Sequence, residues 1–188
     1  MTLPTKLFHY SKEKFKLDNT WVYKKKDFPI SLFKCDGLWF SVEDDDEDEN
    51  WFDFCSAENF AVERLKFKYS VVISQDAKIL HLKNEKELCE FSLKYSALNP
   101  ADLIPFFKNE KNKEGVVLYI DWGCVQSQYD GIVISPYQIN CRLNSLTIWY
   151  RGWDCSSGCV WNLDKISLEF HSSTDEQVLV EECQNVNR

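Results

Sequence analysis

The residues best suited to chemistry fall in two runs of the C-terminal half. The first is Tyr129-Asp130-Gly131-Ile132-Val133-Ile134-Ser135-Pro136-Tyr137. The second is Trp149-Tyr150-Arg151-Gly152-Trp153-Asp154-Cys155-Ser156-Ser157-Gly158-Cys159-Val160-Trp161-Asn162. Both join aromatic rings to a carboxylate, and the second adds an arginine. Such a set suits a planar, charged ligand, because rings stack on planar groups and a guanidinium clamps phosphate or carboxylate in a bidentate fork. Arg151 has two readings: a clamp for an anion, or the neutralising partner of Asp154 three residues on. Asp130, followed by Gly131, is a turn-forming residue as well as a candidate acid.

The elements that must position these residues are mostly strands. Leu7–Tyr10 and Leu38–Val42 are short apolar runs, the second entered through the turn pair Asp36-Gly37. Val71–Ile73 and Ile79–Leu82 read as a hairpin or as two sequential strands. Val116–Trp122 reads as an apolar strand or the start of a short helix. Tyr129–Ile134, Leu146–Tyr150, Cys159–Trp161 and Ile166–Phe170 complete a strand-rich second half. Helical spacing is confined to Trp51–Leu65 and Lys86–Tyr95, with Asn99–Pro105 a connection or a short helix. Strands outnumber helices and the helices come early, so the fold class is α+β, a single domain over 1–172 with a polar, loosely held tail over 173–188.

Composition narrows the function. The chain has 188 residues, 44% of them hydrophobic and 15% aromatic, enough to bury a substantial core. A net charge of -8 argues against a broad nucleic-acid-binding face, and Lys24-Lys25-Lys26 reads as solvated surface. Residues 43–49 are seven consecutive carboxylates, which repel one another and predict an exposed loop without the glycine punctuation of a calcium loop. No signal peptide or membrane-length apolar run is present, so a cytoplasmic location is expected, with the eight cysteines reduced. Cys155 and Cys159 lack the second Cys/His pair that a zinc site needs. A cysteine hydrolase built on Cys55, Cys124 or Cys155 with His81 or His171 has no local signature.

Leu7-Phe8-His9-Tyr10-Ser11 resembles the first strand motif of ADP-ribosyltransferases of the His-Tyr-Glu type. Gly37-Leu38-Trp39-Phe40-Ser41 is similar to their second, and Tyr129–Val133 with Gly158–Ile166 resemble their closing strands. The resemblance implies a split, bent, mixed or antiparallel β-sheet core with a few flanking helices and a cleft that holds NAD. It implies that His9 bonds a ribose hydroxyl and that Ser11 fixes the local strand geometry. Trp39 or Tyr10 would stack on nicotinamide, with Ser41 beside them, and His9, Tyr10 and Asp154 are the catalytic candidates. The reaction would be mono-ADP-ribosyl transfer to a protein or nucleic-acid acceptor, with Trp149, Arg151 and Trp153 shaping the acceptor side together with Tyr129 and Asp130.

The third motif departs from the family. Where a Glu is usual, the chain reads Asp154-Cys155-Ser156-Ser157-Gly158, and the closing motif before Cys159 holds no Glu-x-Glu pair; Glu47 and Glu49 have that spacing but lie in the acidic run. Asp154 is the nearest acid, displaced by a few residues, and Asp130 is the other candidate. A second reading is a non-catalytic module on the same sheet that binds a nucleotide or a partner through Trp149, Trp153 and Trp161.

Overall fold

A computed structural model describes residues 3–18, 34–44, 48–97 and 118–173. Its elements are β1 (Leu7–Ser11), β2 (Leu38–Val42), α1 (Trp51–Ala57), β3 (Phe67–Ile73), β4 (Ile79–Leu82), α2 (Glu85–Lys94), α3 (Trp122–Gln126), β5 (Gly131–Ile134), β6 (Ser157–Val160) and β7 (Ile166–Ser173). The strands form one seven-stranded sheet in the order β4-β5-β6-β2-β1-β3-β7. Only β4 and β5 run parallel; every other neighbouring pair is antiparallel. The architecture is therefore α+β with a mixed sheet.

Period-two alternation sends successive side chains to opposite faces of this sheet. On one face Leu82, Ile132, Ile134 and Cys159 pack with Phe91, Trp122, Trp149, Tyr150 and Trp153. On the other, Leu7, Leu38, Phe40, Val42, Val71, Val133 and Val160 form a second apolar layer with Ile166. Strand β5 is buried along its whole length, as its unbroken aliphatic run requires. Gly158 gives Phe40 the room to cross β6, since a Cβ there would lie 2.8 Å from the Ile132 carbonyl oxygen and closer still to the Phe40 ring.

The junction of β1 and β2 positions the site. These strands pair through only two rungs, Leu7 with Val42 and Phe8 with Ser41. The next rungs would set His9 against Phe40 and Tyr10 against Trp39, but the strands part there. β1 stays paired with β3 through Ser11, and β2 with β6 back to Leu38. An opening results in the middle of an otherwise continuous sheet.

Several expectations are corrected. Of the two readings of Val71–Ile73 and Ile79–Leu82, sequential strands hold and the hairpin does not: β4 lies at one edge of the sheet beside β5, and β3 lies towards the other beside β7. Leu146–Tyr150 is not a strand but part of a 3-10 helical segment, Ser145–Gly152, whose first turn is capped by the Asn144 side chain on the Leu146 amide at 3.0 Å. Within the 116–122 run, Ile120 makes a single bridge to Ser96, and Asp121 caps α3 starting at Trp122. The helix expected over 51–65 ends at Ala57, because Asn59 and Ala61 take left-handed backbone angles (φ 48° and 51°) before a 3-10 turn at Val62–Leu65. The acidic run is partly pinned: the Asp44 carboxylate accepts from the Thr5 and Lys6 amides, and Asp48 accepts from the Tyr137 amide and the Ser156 hydroxyl. Lys24-Lys25-Lys26, the stretch 99–115 and the tail beyond Ser173 lie outside the described residues.

Candidate functional site

A cleft of about 350 Å³ occupies the opening between β1 and β2. His9 and Tyr10 reach it from β1, Trp39 and Ser41 from β2, and Trp153 and Asp154 from the loop before β6. Lys34, Trp51 and Arg64 also line it. Three parts of the chain that are far apart in sequence thus share one cavity.

His9 is held by a hydrogen bond between its Nδ1 and the Trp39 main-chain oxygen at 2.8 Å. A carbonyl can only accept, so Nδ1 carries the proton and the neutral ring presents Nε2 as an acceptor. Burial holds the His9 pKa below its ordinary value, partly opposed by the bond to Trp39. Phe15 packs against the imidazole at 5.2 Å. The ring is therefore neutral, oriented and apolar on one flank.

Trp39 meets the Trp153 ring edge-on at 4.7 Å, and the Lys34 ammonium lies 4.9 Å from its ring centroid. Trp153 is 1% exposed, and its indole N–H is buried with no hydrogen-bond partner among the described residues. A buried donor left unpaired is costly. The Ser41 hydroxyl is already used: it accepts from the Trp51 amide at 3.0 Å and so docks the start of α1 beside the cleft.

Asp154 is the one carboxylate among the described lining residues. Its Oδ1 accepts from Arg142 Nη2 at 3.1 Å. Burial raises its pKa, and the charges of Lys34 and Arg142 oppose that rise. The Tyr10 hydroxyl donates to Glu43 Oε1 at 2.7 Å, while Lys68 Nζ lies 2.8 Å from Glu43 Oε2 and 3.8 Å from the Phe8 ring centroid. Burial, together with the Glu43 bond and charge, raises the Tyr10 pKa steeply, so the phenol stays protonated and is no proton acceptor. What Tyr10 offers the cleft is its ring.

The remaining sequence candidates lie elsewhere. Ser11 ends β1, its hydroxyl donating to the Glu13 carbonyl at 2.7 Å. Trp149 is wholly buried behind the sheet and donates to the Ser92 hydroxyl at 2.7 Å, which removes it from any acceptor face. Arg151 is exposed and does not line the cleft; the partner of Asp154 is Arg142, whose Nη2 also donates to the Arg151 carbonyl at 3.2 Å. Tyr129 and Asp130 border a separate recess with Lys78 and Lys165. There Asp130 joins elements, accepting from the Lys78 amide at 2.8 Å and from Asn162 Nδ2 at 2.6 Å. This bonding makes it a structural turn residue rather than an acid of the cleft.

Sequence reasoning missed Lys34, Arg64, Arg142 and Glu43. The first three belong to segments with no motif, and Glu43 hides as the first member of the acidic run. Neither Cys55 nor Cys155 is activated as a nucleophile: burial pushes Cys55 up to about 11 and drives Cys155 higher still. His81 Nε2 bonds the Ser135 carbonyl at 3.1 Å, and His171 packs edge-on to Phe8. Among the described residues no group of three or more His, Cys, Asp or Glu is arranged to hold a metal ion, and no helix is long and apolar enough to cross a membrane.

No protein-family model, curated protein or solved structure matches this chain.

Proposed function

We propose that the chain is an NAD-dependent, ADP-ribosyltransferase-like enzyme of mono-ADP-ribosyl transfer to a protein or nucleic-acid acceptor. The observation that carries this reading is the convergence of His9, Tyr10, Trp39, Ser41 and Asp154 on one cleft at the point where β1 and β2 part.

NAD is the substrate in this reading. The Trp39 ring stacks on nicotinamide, and His9 Nε2 accepts from a ribose hydroxyl. Lys34 and Arg64 are the lining cations available to the pyrophosphate. The bond between ribose C1′ and the nicotinamide nitrogen breaks, and nicotinamide leaves with the bonding pair. The Asp154 carboxylate steadies the positive charge that develops on the ribose. The acceptor's nucleophile then bonds C1′ and gives up its proton to solvent.

One observation favours a second reading, a nucleotide-binding module without turnover. The Asp154 charge is already shared with Arg142, which weakens what it can offer an oxocarbenium-like state. Incubation with NAD while following free nicotinamide separates the two. Release that is lost in His9→Ala and Asp154→Asn supports the enzyme. Binding of NAD with no release, with or without added acceptor proteins or nucleic acid, supports the module.

A further inference from the structure

The aromatic end of α1 and the turn after it form a display surface beside the cleft. Trp51 stacks on Phe54 at 5.7 Å, and Phe60 meets both rings, at 6.1 Å and 6.3 Å. Phe60 is nevertheless 53% exposed, and Val62, two residues on, 45%. Phe60 stands between Asn59 and Ala61, both in the left-handed region. For Ala61 in particular that conformation is disfavoured, so the backbone carries strain at the place that turns Phe60 outward. Scattered exposed hydrophobics need no explanation, whereas a clustered group on a strained turn does.

Charge identifies what fits. The stretch 43–63 holds ten of the thirty carboxylates and none of the twenty-two Lys and Arg residues. The rest of the chain is therefore close to neutral, and the acidity of the whole molecule is concentrated here. Glu58 and Glu63 are exposed beside the aromatic cluster, Glu63 lying 3.9 Å from Arg64, and Asp53 is exposed in a recess it shares with Lys66 and Lys68. This rim repels nucleic-acid phosphates and anionic membrane surfaces and attracts a cationic partner. Trp51 belongs both to the cluster and to the lining of the cleft, so a partner seated on the cluster lies at the cleft mouth.

We propose that the Trp51-Phe54-Phe60-Val62 surface docks a basic polypeptide segment carrying an apolar side chain. The apolar residue would sit on the Phe60 cluster, and Lys or Arg side chains would face Glu58 and Glu63. If the cleft cleaves NAD, this segment belongs to the acceptor protein; the docking itself does not depend on that reaction.

The test is direct binding without NAD, so that it fails or succeeds separately from turnover. A fluorescein-labelled short peptide of Lys and Arg around a central Leu-Phe pair is titrated with the full chain. Matching peptides replace Leu-Phe with Gly-Gly, or the basic residues with Glu. The expected result is saturable, salt-weakened binding of the first peptide alone. Phe60→Ser with Val62→Ser should weaken it by roughly tenfold or more, and Glu58→Gln with Glu63→Gln should flatten its salt dependence. All four positions are exposed, and circular dichroism confirms that each variant is folded. Three results would overturn the proposal: no binding of the basic apolar peptide, equal binding of the three peptides, or binding untouched by folded variants. Sedimentation that shows a dimer dissolved by Phe60→Ser would also overturn it, because a second copy of the chain would then be the occupant.

Discussion

The His9 imidazole bonds the Trp39 carbonyl oxygen at 2.8 Å across the gap where β1 and β2 cease to pair. A side chain thus satisfies a main-chain acceptor at the opening, and the same contact aims Nε2. His9→Ala leaves the Trp39 carbonyl without this donor and should cost about 1–2 kcal/mol in urea unfolding. His9→Asn can restore the donor and most of the stability while leaving the imidazole acceptor absent. If the two variants unfold alike, the bond is not what holds the opening.

Stability should fall in mildly acidic solution. Burial lowers the pKa of His9 and of His81, so between the ordinary value of 6.5 and the folded values the unfolded chain binds more protons. Their contribution is present above 6.5 and is lost as the pH falls through the folded values. The urea midpoint should therefore drop from about pH 7.5 to about pH 5.5, and His9→Asn with His81→Gln should flatten that slope. Asp154 has the opposite sign, because its raised pKa favours the fold at low pH and disfavours it once the pH rises through the folded value. A slope unchanged in the double variant would contradict the assignment to these two rings.

Tyr10, Glu43 and Lys68 form a chain in which the paired charges are only 15% and 22% exposed. Lys68→Met leaves a half-buried carboxylate without its cation and should cost about 1–3 kcal/mol, less than for a fully buried pair. Glu43→Gln combined with Lys68→Met should cost less than the sum of the single variants. Thermal unfolding of the four proteins completes the cycle, and simple additivity would show that the pair contributes nothing.

Gly158 passes over the Phe40 ring and under the Ile132 carbonyl. Gly158→Ala would meet both within 3.0 Å and should destabilise by about 1–3 kcal/mol through overpacking. Gly123→Ala, where the nearest atom lies 3.3 Å away on the Asp121 side chain, should be far milder. Denaturant midpoints of the two variants compare them, and equal effects would contradict the tight packing of the Phe40 ring over β6 at Gly158.

The sequence made β1 and β2 legible because each is a short apolar run, β2 entered through a turn signal. It gave the α+β class for the same reason. It failed at Leu146–Tyr150, where an apolar run fits a buried strand and a buried helix equally well, and Asn144 decides by capping the turn. It offered Arg151 either as an anion clamp or, by proximity in the chain, as the partner of Asp154, whereas the partner, Arg142, comes from the neighbouring 3-10 segment Ile139–Leu143. Ion pairs of this kind depend on tertiary approach and leave no local pattern. Asp130 and Trp149 looked chemical by residue type, but burial and bonding commit both to holding elements together.

The central claim is that the cleft between β1 and β2 is a nucleotide site. Equilibrium titration with NAD, followed by calorimetry, tests it without needing an acceptor or turnover. The prediction is saturable binding by the parent chain, weakened roughly tenfold or more in folded His9→Ala and unchanged in Arg151→Ala, which lies off the cleft. Failure of the parent to bind NAD, or binding that survives intact in His9→Ala, would contradict the claim.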